Sequence, residues 1–61
     1  MNIPNDPIIL LSVVNTKLRD FYSSFDEMCL KEDLSDSEKA GIINKLSSVD
    51  YKYSPEKNRF I

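Results

Sequence analysis

The side chains that most often carry out catalysis are scarce in this sequence. It contains no histidine, the commonest general base and zinc ligand, so Ser12 has no partner for a conventional serine–histidine–aspartate triad. Its one cysteine, Cys29, forms no intramolecular disulfide and, among acidic neighbours, is expected to be a small buried hydrophobe. Its one glycine, Gly41, excludes a glycine-rich phosphate loop. The sequence therefore predicts a non-catalytic protein that has no cofactor, no metal site and no small-molecule substrate.

Acidic residues are concentrated in residues 23–38, which carry a net charge of −5. This segment contains no glycine and lacks the alternating aspartate pattern of a calcium loop, so metal binding is disfavoured. Its carboxylates lie near the predicted starts of two helices, where they interact favourably with the helix dipole. Residues 39–61 carry a net charge of +3. The two regions are expected to attract each other within one fold, although such asymmetry also marks binding faces.

The chain has 61 residues, which is enough for one small domain spanning 1–61. It is 41% hydrophobic and 30% charged, a composition typical of globular proteins. The net charge of −2 provides no general attraction to nucleic acid or anionic lipid. No signal peptide is apparent, and the apolar run at 8–11 is too short to span a bilayer. These features, together with the single cysteine, predict a cytoplasmic protein that has no contact with membranes.

Three capping signals predict where helices begin. The signals are Asp6 followed by Pro7, Ser24 followed by Glu27, and Ser35 followed by Glu38. The aspartate and proline suit the first positions of a helix, and the two serine–glutamate pairs match the reciprocal capping box. Apolar residues then recur at helical spacing, which predicts helices over about 7–22, 25–32 and 36–49. Gly41 falls inside the third helix, where it either permits close approach of another backbone or has no packing role.

The C-terminal residues change from helical to alternating periodicity. Residues 51–53 alternate tyrosine and lysine, and a turn over 55–58, whose final asparagine tolerates a left-handed conformation, leads to Phe60. A four-residue loop places Tyr53 opposite Phe60 in a β-hairpin over about 51–61. The predicted fold class is therefore mainly α (α+β): a three-helix bundle, helix-turn-helix-like, with a C-terminal β-hairpin. Its predicted core consists of Leu11, Val14, Leu18, Phe21, Met28, Ile42, Leu46 and Val49.

Two parts of the chain carry a recognisable pattern. The first is residues 2–24, NIPNDPIILLSVVNTKLRDFYSS, and the second is the tail that runs from Leu46 through Tyr51 and Tyr53 to Asn58 and Phe60. Together they resemble a family of very short bacterial proteins classed only as a domain of unknown function. Members of that family tend to carry glycine just before the first hairpin tyrosine, where this chain has Asp50. The resemblance covers nearly the whole chain and implies no activity, cofactor or catalytic residue.

The first half of helix 1 is apolar on nearly all sides. Its apolar residues are Ile8, Ile9, Leu10, Leu11, Val13 and Val14. One stripe is expected to pack on the domain core, and the rest is covered either by the hairpin or by a partner. An uncovered arc is expected to include Ile8, Ile9 and Val13. This surplus predicts a protein-interaction or self-association module whose partner is another protein or a second copy of the chain.

Three helices followed by a hairpin are also typical of winged helix-turn-helix DNA-binding proteins. In that alternative, Asn44 and Lys45 of helix 3 contact the duplex, and Lys52, Lys57 and Arg59 lie on the wing. Helix 3 has no arginine, however, and the acidic residues of helix 2 would repel the phosphates. Nucleic acid is therefore a disfavoured partner that the sequence alone leaves open.

Overall fold

The computed structural model describes all 61 residues and contains three helices followed by a two-stranded sheet. Helix α1 spans Pro7–Asp20, α2 spans Phe25–Lys31 and α3 spans Asp36–Ser47. Strands β1 (Tyr53–Ser54) and β2 (Arg59–Phe60) pair antiparallel as a hairpin. The predicted fold class, an α+β fold of three helices with a C-terminal hairpin, is confirmed. No helix combines the length and the apolar composition that crossing a membrane would require.

Two of the helices begin with the capping contacts that the sequence predicts. Asp6 Oδ1 accepts hydrogen bonds from Ile8 N at 2.8 Å and Ile9 N at 3.3 Å, and a proline occupies the first helical position of α1. At α3, Glu38 N donates to Ser35 Oγ at 3.1 Å, and Ser35 N donates to Glu38 Oε1 at 2.9 Å. These reciprocal bonds form the predicted capping box and satisfy donors that a helix N-terminus leaves unpaired.

The capping box predicted at α2 is only half formed. Glu27 N donates to Ser24 Oγ at 3.0 Å, as expected for the N-cap. The Glu27 carboxylate instead accepts two bonds from Ser23, one from its N at 3.3 Å and one from its Oγ at 2.9 Å. The prediction that Glu27 bonds to the Ser24 backbone is therefore wrong, because the preceding serine offers both a backbone donor and a hydroxyl.

The helices end earlier than their apolar spacing predicts, α1 at Asp20 instead of about 22 and α3 at Ser47 instead of about 49. After α3, Tyr51 N donates to Leu46 O at 2.9 Å, and Asp50 N donates to Ser47 O at 3.0 Å. Asp50 has a φ of 66°. These bonds form a Schellman motif, in which the left-handed residue is usually glycine. The glycine that the family resemblance implies at this position is thus explained by the backbone conformation.

The hairpin has the predicted register. Tyr53 pairs with Phe60 across the two strands. The flanking residues Lys52 and Ile61 exchange two backbone hydrogen bonds of 2.9 Å each, which extends the pairing beyond the strands. Asn58 has a φ of 51° and closes the turn in the left-handed conformation that was expected of it.

Nine buried residues form one hydrophobic core: Leu10, Val14, Leu18, Phe25, Met28, Cys29, Ile42, Leu46 and Phe60. Five of the eight predicted core residues are among them. Leu11 and Val49 are half-buried instead, and Leu10 is the fully buried leucine of the first two turns. The side chains of Met1 and Ile3 also pack against this core, so residues before α1 cover part of it.

The predicted core position of Phe21 is wrong, because its side chain is 71% exposed. Helix α1 has ended by this residue, whose φ of −127° is no longer helical, so the helical spacing that placed it in the core does not apply. The aromatic part of the core is supplied by Phe25, Tyr53 and Phe60. The rings of Phe25 and Phe60 meet edge to face, with centroids 5.1 Å apart.

Gly41 lies in an open position within α3. A Cβ atom at this residue would have no neighbour within 4 Å. The hypothesis that Gly41 permits close approach of another backbone is therefore wrong, and the residue only lowers the helix propensity of α3.

Candidate functional site

Asn15 joins α1 to the hairpin through its side-chain amide. Its Nδ2 donates to Phe60 O at 3.0 Å, and its Oδ1 accepts from Phe60 N at 2.8 Å. The amide therefore pairs with the backbone of β2 in the way a neighbouring strand would. This role was not predicted from the sequence, in which the one signal for it is that Asn15 is the first amide after a mainly apolar run on α1.

Asn58 joins the hairpin to the C-terminal end of α1. Its Nδ2 donates to Leu18 O at 3.1 Å and to Tyr22 O at 2.9 Å, while its Oδ1 accepts from Tyr53 Oη at 2.8 Å. The last carbonyls of a helix have no hydrogen-bond donor within the helix. The Asn58 side chain supplies a donor to one of them, Leu18 O, and to the carbonyl of Tyr22 just beyond the helix. Asn15 and Asn58 together fix β2 against the length of α1.

A groove lies between α1 and the hairpin, and we name it the cationic groove. Its volume is about 760 Å³, and its lining consists of Ser12, Asn15, Thr16, Leu18, Arg19, Lys57, Asn58 and Arg59. Three lining residues are basic, none is acidic and none is aromatic. Arg19 donates two hydrogen bonds to the neighbouring Asp20 carboxylate, from Nε at 2.8 Å and from Nη2 at 2.9 Å. This interaction raises the pKa of Arg19 and lowers that of Asp20.

A second groove, which we name the aromatic groove, lies on another side of the hairpin. Its volume is about 410 Å³, and its lining consists of Phe25, Asp26, Lys39, Ile43, Ser47, Tyr51, Lys52, Tyr53 and Phe60. Lys39 forms an ion pair with Asp26, and its Nζ lies 5.9 Å from the centroid of the Phe25 ring. The hydrogen bond with Asp26 raises the pKa of Lys39.

The three residues of the predicted interaction patch differ in exposure. Ile8 is 57% exposed and Ile9 is 56% exposed, whereas Val13 is half-buried. Ile8 and Ile9 therefore remain uncovered within the monomer, and we name them the isoleucine patch. Other large apolar side chains are exposed elsewhere on the surface: Phe21, Leu30, Ile43 and Ile61.

The structure does not bring the five predicted nucleic-acid contacts onto one face. Lys57 and Arg59 line the cationic groove, whereas Lys52 lines the aromatic groove. Lys45 lies at the other end of α1, where its Nζ donates to Asn5 Oδ1 at 3.2 Å. Asn44 is exposed on α3. Lys45 is therefore separated from Lys57 and Arg59, which lie beside residues 12–19 of α1, whereas Lys52 lines its groove together with residues of α3.

Glu32 collects the polar contacts of the acidic segment. Its carboxylate accepts a hydrogen bond from Tyr22 Oη and forms an ion pair with Lys17 Nζ at 3.4 Å. The hydrogen bond from Tyr22 is the main cause that lowers the pKa of Glu32, and it raises the pKa of Tyr22. The predicted attraction between the acidic and basic regions is thus limited to the ion pair between Lys39 and Asp26. Glu32 forms its ion pair with Lys17 of α1 and not with a residue of the hairpin.

Cys29 is buried in the core, as expected. Burial raises the pKa of its thiol, which keeps it protonated and unreactive. No group of three or more acidic or cysteine side chains is arranged so that it would hold a metal ion.

A comparison with protein families gives one match to this chain. The family model described as a domain of unknown function, DUF4250, matches residues 4–60. The chain belongs to this family. Membership of a domain-of-unknown-function family is therefore confirmed, and the DUF4250 match includes Asn15, Asn58 and the linings of both grooves. No curated protein and no solved structure matches the chain.

Proposed function

We propose that this protein is a non-catalytic interaction module that pairs with a second copy of itself through the isoleucine patch on α1. The observation that carries the proposal is the exposure of Ile8 and Ile9, which keep 57% and 56% of their surface in contact with solvent. Adjacent exposed aliphatic residues on one helix turn form a contiguous apolar surface, and contiguous apolar surfaces mark association sites when they are extended by their neighbours. The hairpin, which could have covered them, packs instead beside Asn15.

The patch lies on an uncharged stretch of α1 that begins after the capping carboxylate of Asp6, and this stretch favours a second copy as the partner. Residues 7–16 of α1 contain no ionisable side chain. A two-fold symmetric interface places each residue near its own counterpart, so charged side chains close to the axis would repel each other. An uncharged helix face meets this condition, whereas the charged faces of α2 and of the hairpin do not.

The energy available from the patch indicates a weak dimer. Full burial of an isoleucine contributes about 1.5–3 kcal/mol, so the exposed halves of four isoleucines contribute roughly 3–6 kcal/mol in a dimer. Association itself costs at least about 4 kcal/mol in lost rotational and translational freedom. The four isoleucines alone therefore leave at most about 2 kcal/mol of net affinity, so a dissociation constant of about 1 mM, which corresponds to about 4 kcal/mol, requires further contacts from the uncharged stretch of α1.

Sedimentation equilibrium from about 10 μM to about 1 mM tests the proposal. The wild-type mass should rise from 7.0 kDa toward twice that value as the concentration increases. Ile9→Glu should remain monomeric, because it buries a charge against its own symmetry mate. Leu30→Glu is the matched control, since Leu30 is 78% exposed on α2, and it should associate like the wild type.

Two results would overturn the proposal. A wild type that stays at 7.0 kDa throughout the range would exclude self-association. Loss of association in Leu30→Glu with retention in Ile9→Glu would place the contact on α2. Binding of duplex DNA through α3 and the hairpin is not proposed, because Lys45 lies away from Lys57 and Arg59.

A further inference from the structure

The cations of the cationic groove have unused capacity to bind an anion. None of the ion pairs in the chain includes Lys57 or Arg59. Arg19 donates two of its five N–H groups to Asp20, which leaves three free for another acceptor. The whole chain has a net charge of −2, so this cationic surface is a local feature and not a consequence of overall charge.

Two hydroxyl side chains of α1 line the groove on the wall that also carries Arg19, opposite the two cations of the hairpin. Ser12, Thr16 and Arg19 are spaced four and three residues apart, so they form one stripe along α1, about 10 Å long. Lys57 and Arg59 form the opposite wall. The backbones of the two walls are fixed relative to each other by the bonds of Asn15 and Asn58, so ligand binding has to order only the exposed side chains of the three cations.

We propose that the cationic groove binds a small soluble ligand that carries phosphate groups. Guanidinium groups bind phosphate oxygens in a bidentate manner, and hydroxyl and ammonium groups supply further donors to the same oxygens. The groove contains no aromatic side chain on which a base could stack, so it recognises the phosphate part of the ligand. A groove of about 760 Å³ is large enough for two linked phosphate groups.

Pyrophosphate is a suitable probe, titrated into isotope-labelled protein in a phosphate-free buffer while amide chemical shifts are recorded. Saturable shifts are expected in residues 12–19 and 57–59. Arg59→Gln should weaken binding roughly tenfold, because a charge-assisted bidentate contact is lost. Asp20→Asn should strengthen binding, because the carboxylate that competes for Arg19 is removed. Lys52→Gln removes the same charge from the aromatic groove and should leave the affinity unchanged.

The same titrations can overturn the inference. Unsaturable shifts, or equal weakening by Arg59→Gln and Lys52→Gln, would show only a general response to ionic strength. Binding of duplex DNA or of phosphatidylglycerol vesicles without any response to pyrophosphate would assign the cations to a polymer or a membrane surface instead. Because none of these variants changes Ile8 or Ile9, the outcome is independent of self-association through the isoleucine patch.

Discussion

At the scale of single residues, two asparagines determine how the hairpin lies on α1. Asn15 replaces a missing strand beside β2, and Asn58 supplies an acceptor to Tyr53 and donors to the end of α1. The bonds of these asparagines to β2 and to the end of α1 could not be predicted from the sequence, because each joins residues at least 36 positions apart. The local conformation of Asn58 could be predicted, because asparagine at the end of a hairpin turn tolerates positive φ.

Replacement of Asn58 should destabilise the protein strongly. Asn58→Gly keeps a residue that accepts positive φ but removes three side-chain hydrogen bonds, so a loss of roughly 2–4 kcal/mol is expected. Urea denaturation measures the change. The control is Asn44→Ala, which removes an asparagine side chain at an exposed site of α3 without weakening the helix. Equal stability of Asn58→Gly and wild type would show that the three bonds contribute nothing.

Glu32 should make the free energy of unfolding depend on pH in the acidic range. Its pKa is lowered in the folded state from the ordinary value of 4.5, chiefly by the hydrogen bond from Tyr22. A group whose pKa is lower in the folded state stabilises that state at pH values above its pKa in the unfolded chain. This stabilisation is lost as the pH falls through its pKa in the folded state. Between about pH 5 and about pH 2, Glu32→Gln should therefore lose less stability than the wild type does.

Urea midpoints measured across that pH range would test the contribution of Glu32. Glu56→Gln is the matched control, because Glu56 is exposed in the hairpin turn and forms no ion pair. This variant should show the same acid dependence as the wild type. An unchanged acid dependence in Glu32→Gln would mean that the contacts of Glu32 do not stabilise the folded state.

At the scale of elements, helix starts were easier to predict than helix ends. Starts carry local signals, since an N-cap side chain bonds to backbone only two or three residues away. Ends carried no such signal here, because the left-handed residue at the exit from α3 is Asp50 and not glycine. Apolar spacing alone extended the predicted α1 to about residue 22, whereas the structure ends the helix at Asp20 and places Phe21 outside it.

Glycine at position 50 should stabilise the exit from α3. Asp50 has a φ of 66°, a conformation that costs L-residues about 1 kcal/mol and that glycine adopts freely. Asp50→Gly should therefore raise the free energy of unfolding by roughly 0.5–1 kcal/mol. Ser47→Gly, in the last turn of α3, should lower it by a similar amount. A loss of stability in Asp50→Gly would show that its side chain makes a contribution larger than the backbone cost.

At the scale of the whole molecule, the sequence predicted the content of the fold better than its surfaces. The surplus of apolar residues on α1 correctly indicated that Ile8 and Ile9 are exposed. It did not indicate that Val13 is half-buried, because helical spacing does not reveal which neighbouring elements pack beside it. The cationic groove was also not predicted, because it brings Arg19 of α1 together with Lys57 and Arg59 of the hairpin, which lie far from Arg19 in the sequence.

Contacts between two copies of the chain would show whether the isoleucine patch mediates self-association. Labelled and unlabelled protein are mixed at about 1 mM, and isotope-filtered nuclear Overhauser spectra then report only contacts between different molecules. If the patch pairs with a second copy, the methyl groups of Ile8 and Ile9 should show such contacts, and Ile9→Glu should abolish them. Spectra without intermolecular contacts, or with contacts only from Leu30, Phe21 or Ile43, would contradict this pairing.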